Sequence, residues 1–518
     1  MGADAASTTT NTTSSSSFAR KQCLIKLCRA FLLYGAPTHS IEEFMTVSSV
    51  HLDIDAHFLY VPMSMVVTFD DGTRGGTELH IIRLEPGIEV GRLMEVFRIY
   101  KDLVHAIIDV EEATRRLDDA TERRPRFSIK LRVLMYGLAS ACCAPVAFQG
   151  RLVDTPFALV LGSAVGLFQE VWYPADDHFI PLFEMTAGII TAFIARALGS
   201  IQNGDVFCFG AIAQSSIVFI LPGYMVLSSS LELHTGHIVA GSARMVHAVI
   251  STLFLGYGMA IGTCLYGLVD SGATTEVGCR DQLQRKWQSL FALAFIICQC
   301  IIRQAQWRQM PAICAIALAG FWVNSFCSRL FDGDTHAAAM LGALSVGLLS
   351  NLHFRLYRPA QTLWLALMSG LKSTSSWCCL TEGRNLGHRW GRRPSCDSDA
   401  ESSPAAPPTK VPPRKGSCSL AVAVMLQAIL IQLPTSLAIH GFLAADTVFT
   451  SSLKSNPLTA ADDAAGHLDG ARLPGTLDMT FFGAFWKVIQ GIVGVSFGLL
   501  ISNMIAYPFG RGLSLRKE

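Results

Sequence analysis

The chain has 518 residues, with 41 Lys and Arg against 40 Asp and Glu, 51% hydrophobic residues and only 16% charged ones. Soluble domains carry about a quarter charged residues, so this deficit, together with a mean hydropathy of +0.39, points to a membrane protein. A net charge of +1 excludes the basic field that a nucleic-acid partner requires.

In chain order, residues 1–19 are rich in Ser and Thr with no apolar stretch, so a disordered tail is expected. The Asn11-Thr12-Thr13 sequon matters only if it enters a lumen. Cys23 to Tyr34 places Leu24, Leu27, Cys28, Phe31 and Leu32 at helical spacing, and Gly35-Ala36-Pro37 stops that helix. Thr38 then caps a second helix, with Glu42 near the third position as in a capping box. His57 to Phe69, the Asp70-Asp71-Gly72 turn and Glu78 to Leu84 read as a hairpin. Helical period returns from Glu89 to Asp119, so residues 20–125 make a small α/β domain.

From Leu131 apolar runs take over, at 133–149, 155–171, 179–199, 206–227, 245–269, 288–302, 310–327, 336–352, 419–441 and 483–507. Each is near the length that crosses a hydrocarbon core of about 30 Å. The fold expected is a polytopic α-helical membrane protein of about ten transmembrane helices with a small N-terminal α/β cytosolic domain. Five helices fall in 131–270, and five in 287–372 and 418–510. The run 360–371 is too short to span and reads as interfacial or as an extension of the eighth helix, while 373–417 is a Ser/Pro/Arg-rich disordered insertion. Arg123, Arg124, Arg126, Lys130, Arg132, Arg244, Arg303 and Arg308 fall on one side of the membrane, so both termini are expected to be cytoplasmic.

Fifteen cysteines form no CxxC pair, and Cys142, Cys143, Cys208, Cys264, Cys298, Cys300, Cys314 and Cys327 sit inside apolar runs. They read as small buried apolar residues. Without clustered ligands at zinc spacing, neither a metal nor a cofactor is expected.

The ten spans divide five and five with matched features. Leu221-Pro222-Gly223 lies late in the fourth helix and Leu433-Pro434-Thr435 late in the ninth, and the next helix of each half carries a GxxxG, Gly258 to Gly262 and Gly494 to Gly498. Small residues let helix backbones approach. A proline in a membrane helix frees a carbonyl that protein, water or ligand must satisfy. Because each half has an odd number of spans, the halves run in opposite senses, a 5+5 inverted repeat of the kind secondary transporters use.

Ionisable residues at membrane depth are costly and face cavities or partners. Glu184, one turn after Pro181, is the clearest. Gln214, Ser215 and Ser216 precede Pro222 by one to two turns, and Asn324 with Ser325 lie in the seventh helix. Glu170 and Arg196, near helix ends, read as snorkelling to the interface. Asp332, Asp334 and His336 read as caps of the eighth helix. The expected substrate site is therefore Glu184, Gln214, Pro222, Gly223 and Pro434. In the N-terminal domain His39, Glu42, Glu43, His51 and His57 lie close in sequence, but HExxH, phosphate-loop and nucleophile-elbow patterns are absent. The chain is not expected to be an enzyme; a membrane-tethered hydrolase using His39 and Glu42 is the remote alternative, and a scaffold or fusion-related protein with a partner-binding cytosolic domain the nearer one.

The segment from Leu33 through Gly35, Ala36, Pro37, Thr38 and His39 to Glu42 and Glu43, with Phe58-Leu59-Tyr60-Val61-Pro62, resembles the amino-terminal domain of the threonine/serine exporter family. It is most similar to the fungal branch, the pheromone-regulated membrane proteins. Further resemblance runs through Phe207 to Ala211, Leu221 to Tyr224, Leu231-Glu232-Leu233, Gly241 to Val246 and Tyr507 to Gly510, covering roughly 20–355 and 418–512. It implies a multi-pass transporter with a cytosolic domain and two related membrane halves, taking a small-molecule substrate of the amino-acid class within the lipid bilayer. Without an ATP motif, a proton or sodium gradient is the expected energy source, and an oligomer is compatible with this reading. The sequence departs from the family pattern at Arg74-Gly75-Gly76-Thr77-Glu78 and in the 373–417 insertion.

Overall fold

A computed structural model describes residues 4–353 other than 37, 62–63, 72–75, 85–86, 88, 172–179, 202–205, 271, 274–277, 280–283 and 332–336. Beyond 353 it describes residues 425, 428, 490, 491 and 493–506. The N-terminal domain runs α1 (Asp4–Leu33), α2 (Thr38–His51), β1 (Ala56–Val61), β2 (Ser64–Asp71), β3 (Gly76–Arg83), α3 (Val90–Val104) and α4 (Val110–Glu122). Residues 4–19, expected as a disordered tail, continue α1. No Gly or Pro occurs between Asp4 and Leu33, so nothing interrupts propagation outward from the docked turns.

The strands form an antiparallel meander, β1-β2-β3, with Phe58 opposite Val67, Tyr60 opposite Met65 and Phe69 opposite Glu78. The single hairpin expected from the sequence is thus two. Val61 pairs with Ser64, and the apolar alternation of 57–69 runs straight through that reversal, which hides it. The buried sheet face presents Met65, Val67 and Phe69 to Leu24, Leu27 and Phe31 of α1, Ile41 and Met45 of α2, Val96 of α3 and Leu117 of α4. Each such fully buried side chain contributes about 1.5–3 kcal/mol. Phe31, Phe44, Phe97 and Tyr100 stack within this core at centroid distances of 4.9–5.9 Å.

The second part comprises α5 (Ile129–Ala147), α6 (Thr155–Val171), α7 (Ile180–Gly199), α8 (Phe209–Ser216), α9 (Gly223–His234), α10 (Ile238–Val269), α11 (Arg285–Ile302) and α12 (Met310–Leu330). Two further apolar helices are α13 (Ala337–His353) and α14 (Val493–Ala506). Five helices among the described residues are long and apolar enough to cross a membrane: α5, Leu152–Val171, Leu182–Gly199, α10 and α12. The apolar lengths of α11, α13 and α14 are shorter. The expected continuous span at 206–227 is instead two short helices, α8 and α9. The expected helix at 419–441 with Pro434, the run 360–371 and the insertion 373–417 lie outside the described residues, Met425 and Ala428 excepted. Leu134, Val160, Leu167, Ile190, Val246, Tyr257 and Phe326 point outward. They are residues of apolar helices with lipid as their solvent.

Glycine sets the helix contacts. A Cβ at Gly258 of α10 would meet the Met185 carbonyl oxygen of α7 at 2.5 Å, and one at Gly262 would stand 3.0 Å from the Ile189 Cα. Gly498 of α14 meets α13 in the same way, with Leu344 N at 3.1 Å and Ala343 Cβ at 3.2 Å.

Cys208, in the loop before α8, is disulfide-bonded to Cys279, in the loop between α10 and α11. The reading of Cys208 as a small apolar residue is corrected. Its partner lies 71 residues away, a separation at which spacing carries no signal. Both loops lie at the ends of α10 and α11 remote from the N-terminal domain, since α10 is 32 residues, or about 48 Å, long. Reduction of the full chain is expected to add two alkylatable cysteines in the wild type and none in C208S/C279S. Equal increments would mean that the bond does not form.

Candidate functional site

Between Ser216 and Gly223 the helical ladder gives way to a three-residue turn, Ile220 N donating to Ile217 O at 2.9 Å, and Pro222 becomes the residue before α9. Pro222 has no N–H to continue a helix and its ring excludes the preceding carbonyl, so α8 stops and α9 restarts. The break is buried: Gln214, Ser215 and Ser216 are at most 2% exposed, and Ile217 and Ile220 pack with Ala187 of α7 and Leu255 and Met259 of α10. Ser216 returns its hydroxyl to Ile212 O at 2.7 Å, whereas the Gln214 Oε1 has no hydrogen-bond partner among the described residues. Glu184 is buried on α7, its carboxyl against the Ser251 hydroxyl of α10. Glu184 and Ser251 each lie one turn from residues of the apolar cluster that surrounds the break. No direct contact between Glu184 and Gln214 is recorded among the described residues. Pro434 lies outside them.

Two readings of charged residues are corrected. Arg196 does not snorkel: it is 2% exposed and its Nη1 donates to Thr263 O at 2.6 Å. Glu170, at the end of α6, pairs with Arg132 in the first turn of α5. Both found partners on neighbouring helices that one-dimensional position does not reveal. Asn324 and Ser325 are half-buried, and Asp332, Asp334 and His336 lie outside the described residues.

The motif segments meet where the N-terminal domain docks on the helices. Gly35 adopts φ +75°, a left-handed conformation suited to glycine, and its carbonyl accepts the Tyr224 hydroxyl of α9 at 3.1 Å. Ala36 is buried and donates its N–H to Phe31 O. Pro37 lies outside the described residues, and Thr38 and His39 open α2. Glu42, expected in a capping box, also reaches beyond its own helix. Its Oε1 accepts the Tyr60 N–H at 2.9 Å, and its Oε2 lies 3.9 Å from His237 Nδ1, just before α10. Strand β1 therefore holds one oxygen of this carboxylate. Glu43 is exposed.

Arg244 of α10 bonds Glu232 of α9 at 2.5 Å and the Tyr60 hydroxyl of β1, and lies over the Tyr60 ring at 5.5 Å. Glu232 is 1% exposed. On the loop after α11, Val90 N donates to Arg303 O at 3.2 Å, Gln306 Nε2 to Gly91 O at 3.1 Å, and Arg126 N to Gln304 Oε1 at 2.8 Å. Sequence reasoning gave Glu232 and Tyr60 no role and used Arg244 only to orient the chain in the membrane. The available signal was that each sits in one of the resembling segments. Burial pushes the Cys28 thiol up to about 12 and raises that of Cys23, which keeps both protonated within the domain core. Among the described residues no three His, Cys, Asp or Glu side chains gather as a metal site.

Residues 22–266 match the family model described as "Putative threonine/serine exporter". The chain is 34% identical over 499 residues to pheromone-regulated membrane protein 10 of Candida albicans, covering 95% of this chain and 38% of that protein. It is 34% identical over 500 residues to the protein of that name from Debaryomyces hansenii, covering 95% and 42%. Over 496 residues it is 34% identical to uncharacterized protein C7D4.12c of Schizosaccharomyces pombe, covering 95% and 56%. The chain thus spans less than two thirds of the length of these relatives. No solved structure matches it. Through residues 22–266 the chain belongs to the threonine/serine exporter family.

Proposed function

We propose that this chain is a secondary transporter of small polar solutes of the threonine and serine class. It works by alternating access between two five-helix halves of opposite orientation, about ten spans in all, with the 20–125 domain and both termini in the cytoplasm. The observation that carries the reading is the buried break between α8 and α9, lined by Gln214 and begun again at Pro222 and Gly223. The N-terminus of α9 offers main-chain N–H groups and a positive dipole end to a substrate carboxylate. Glu184 supplies the negative group that a substrate ammonium needs. Pro434 is the proposed counterpart of Pro222 in the second half.

The repeat is supported by the third and fifth helices of each half. α7 meets α10 at Gly258 and Gly262, and α13 meets α14 at Gly498. The orientation is supported by the Cys208–Cys279 bond at the end remote from the N-terminal domain, because disulfides persist in oxidising compartments and not in cytosol. An ion gradient, proton or sodium, drives the cycle.

In proteoliposomes the wild type is expected to carry gradient-driven threonine or serine flux, and E184Q and Q214A to lower it at least tenfold with unchanged folding. Undiminished flux in both variants would remove the site from this location. A second reading, a membrane scaffold with a partner-binding cytosolic domain, is favoured by the outer face of the sheet, where Leu59, Val61, Leu79 and Ile81 are 40–61% exposed. It fits the word "pheromone-regulated" in the relatives' names. A scaffold keeps its cellular phenotype in E184Q; a transporter does not.

A further inference from the structure

Near the end of α13 and α14 lies a group of polar oxygens that the proposed substrate site does not use. Ser350 and Asn351 of α13 are 0% and 2% exposed and Ser502 of α14 is 0% exposed. Among the described residues, Ser350 Oγ, Asn351 Oδ1 and Ser502 Oγ have no hydrogen-bond partner. The fourth member, Asn503, accepts the Asn351 Nδ2 at 3.3 Å. The two helices touch here: a Cβ at Gly347 would stand 2.6 Å from the Ser502 Cβ. Ser350 and Asn351, three and four residues beyond Gly347, lie within roughly 60° of that contact direction, so their side chains share the face that Ser502 presses upon.

Hydroxyls in membrane helices usually bond back to their own helix, as Thr191, Ser216, Ser229, Thr252 and Ser345 do at 2.6–2.8 Å. Ser350 and Ser502 do not. An unsatisfied polar atom at this depth is expensive, and here three occur at one helix crossing. Asn351 Oδ1 can only accept, and the two hydroxyls can turn their lone pairs the same way, so one positive partner would satisfy all three.

We infer that Ser350, Asn351, Ser502 and Asn503 form a binding site for a small monovalent cation of sodium size, held by neutral oxygens between α13 and α14. Hard cations take hydroxyl, amide and carbonyl oxygens. A divalent ion needs carboxylates, and neither helix carries Asp, Glu, Lys or Arg. His353 is their one ionisable side chain, so the oxygens themselves have no proton to exchange.

The inference deepens the transporter reading and rests on its repeat for one further support. With Gly262 aligned to Gly498, Gly347 occupies the place of Arg196. In the first half that place holds a fixed cation, the guanidinium that donates to Thr263 O and lies 3.4 Å from a Cβ at Gly267. In the second half it holds glycine, beside the Ser502 hydroxyl, and an exchangeable cation takes the same role.

The test is direct binding of radioactive ²²Na⁺ to the purified full chain in detergent, with choline replacing sodium at constant ionic strength and no amino acid present. Saturable binding is expected, with affinity falling at least tenfold in N351A and in S502A and unchanged in S345A, whose hydroxyl is satisfied within α13. N351D, which adds a carboxylate to the ring, is expected to bind sodium more tightly, and this gain guards against variants that merely misfold. Absence of saturable binding, displacement by potassium as readily as by sodium, or equal affinity in N351A and S345A would each overturn the assignment. Amino-acid flux does not enter this readout. Sodium binding without threonine or serine flux overturns the transport reading alone, and flux without sodium binding overturns the cation site alone.

Discussion

Gly262→Leu is expected to abolish recovery of folded protein, and Gly262→Ala to destabilise it by about 1–3 kcal/mol. The cause is the approach of α10 to α7. At Gly262 a Cβ falls on the Ile189 carbonyl oxygen and within 3.0 Å of the Ile189 Cα and carbonyl carbon, and at Gly258 it meets Met185 in the same way. These neighbours are backbone atoms of a helix, which no rotamer change can move aside. Lipid tails are as apolar as the side chains, so membrane helices associate through close packing, and close packing is what a side chain here removes. Separating the two helices also draws the Glu184 carboxyl away from Ser251 and opens the apolar cluster around the break. Two control substitutions fix the interpretation. Gly267→Ala meets the Arg196 guanidinium at 3.4 Å, an ordinary van der Waals distance, and Gly278→Ala meets nothing within 4 Å among the described residues. Both are expected to stay within about 0.5 kcal/mol of wild type. The measurement is fluorescence-detected size exclusion with thermal unfolding of the detergent-purified chain. A monodisperse Gly262→Leu protein with wild-type midpoint would show that α7 and α10 do not meet at this glycine.

The membrane helices were legible because 3.6-residue period and apolar length leave few alternatives: the reading at 155–171 coincides with α6 and that at 179–199 nearly with α7. The break at 217–222 was legible only in part. Pro222 announces a fault, but whether a proline kinks a helix or divides it depends on what the neighbours supply to the freed backbone, and that is tertiary information. The same limit explains Arg196, whose carbonyl partner Thr263 is 67 residues away, and Cys208, whose partner is 71 away. Glu42 shows a different limit. Its spacing from Thr38 fits a local capping pattern, yet the Tyr60 N–H, 18 residues on, takes the carboxylate because the sheet packs against α2. Local patterns name the residue; the partner comes from the fold. The resembling segments did better than spacing at the docking surface, since Gly35, Glu42, Tyr60, Tyr224, Glu232 and Arg244 all fall within a few residues of it, although nothing in the string says that they meet.

Replacing Glu232 or Arg244 singly by alanine is expected to cost about 3–5 kcal/mol, the range for stripping one partner from a buried ion pair. Glu232 is 1% exposed and the Arg244 side chain 15%, so the survivor is left charged in a site that water reaches poorly. The double variant E232A/R244A is expected to lose less than the sum of the single losses, because neither charge is then stranded. By contrast, breaking the Lys26–Asp118 pair, whose side chains are 38% and 45% exposed, is expected to change stability by less than about 1 kcal/mol. The consequence extends beyond stability through α9. That helix starts at the break, carries Tyr224 to the Gly35 carbonyl and Glu232 to Arg244, and Arg244 in turn holds Tyr60 of the N-terminal domain. A 12-residue helix held at both ends thus ties the domain to the break. E232A and R244A are therefore expected to loosen the domain as well, with faster proteolysis in the exposed 121–126 segment that joins α4 to α5. Y60F keeps the ring over Arg244 and removes one hydrogen bond, so it is expected to show a smaller change of the same sign. Single alanine variants with wild-type unfolding midpoints and cleavage rates would mean that the pair carries no load, and that α9 is held to the domain by Tyr224 alone.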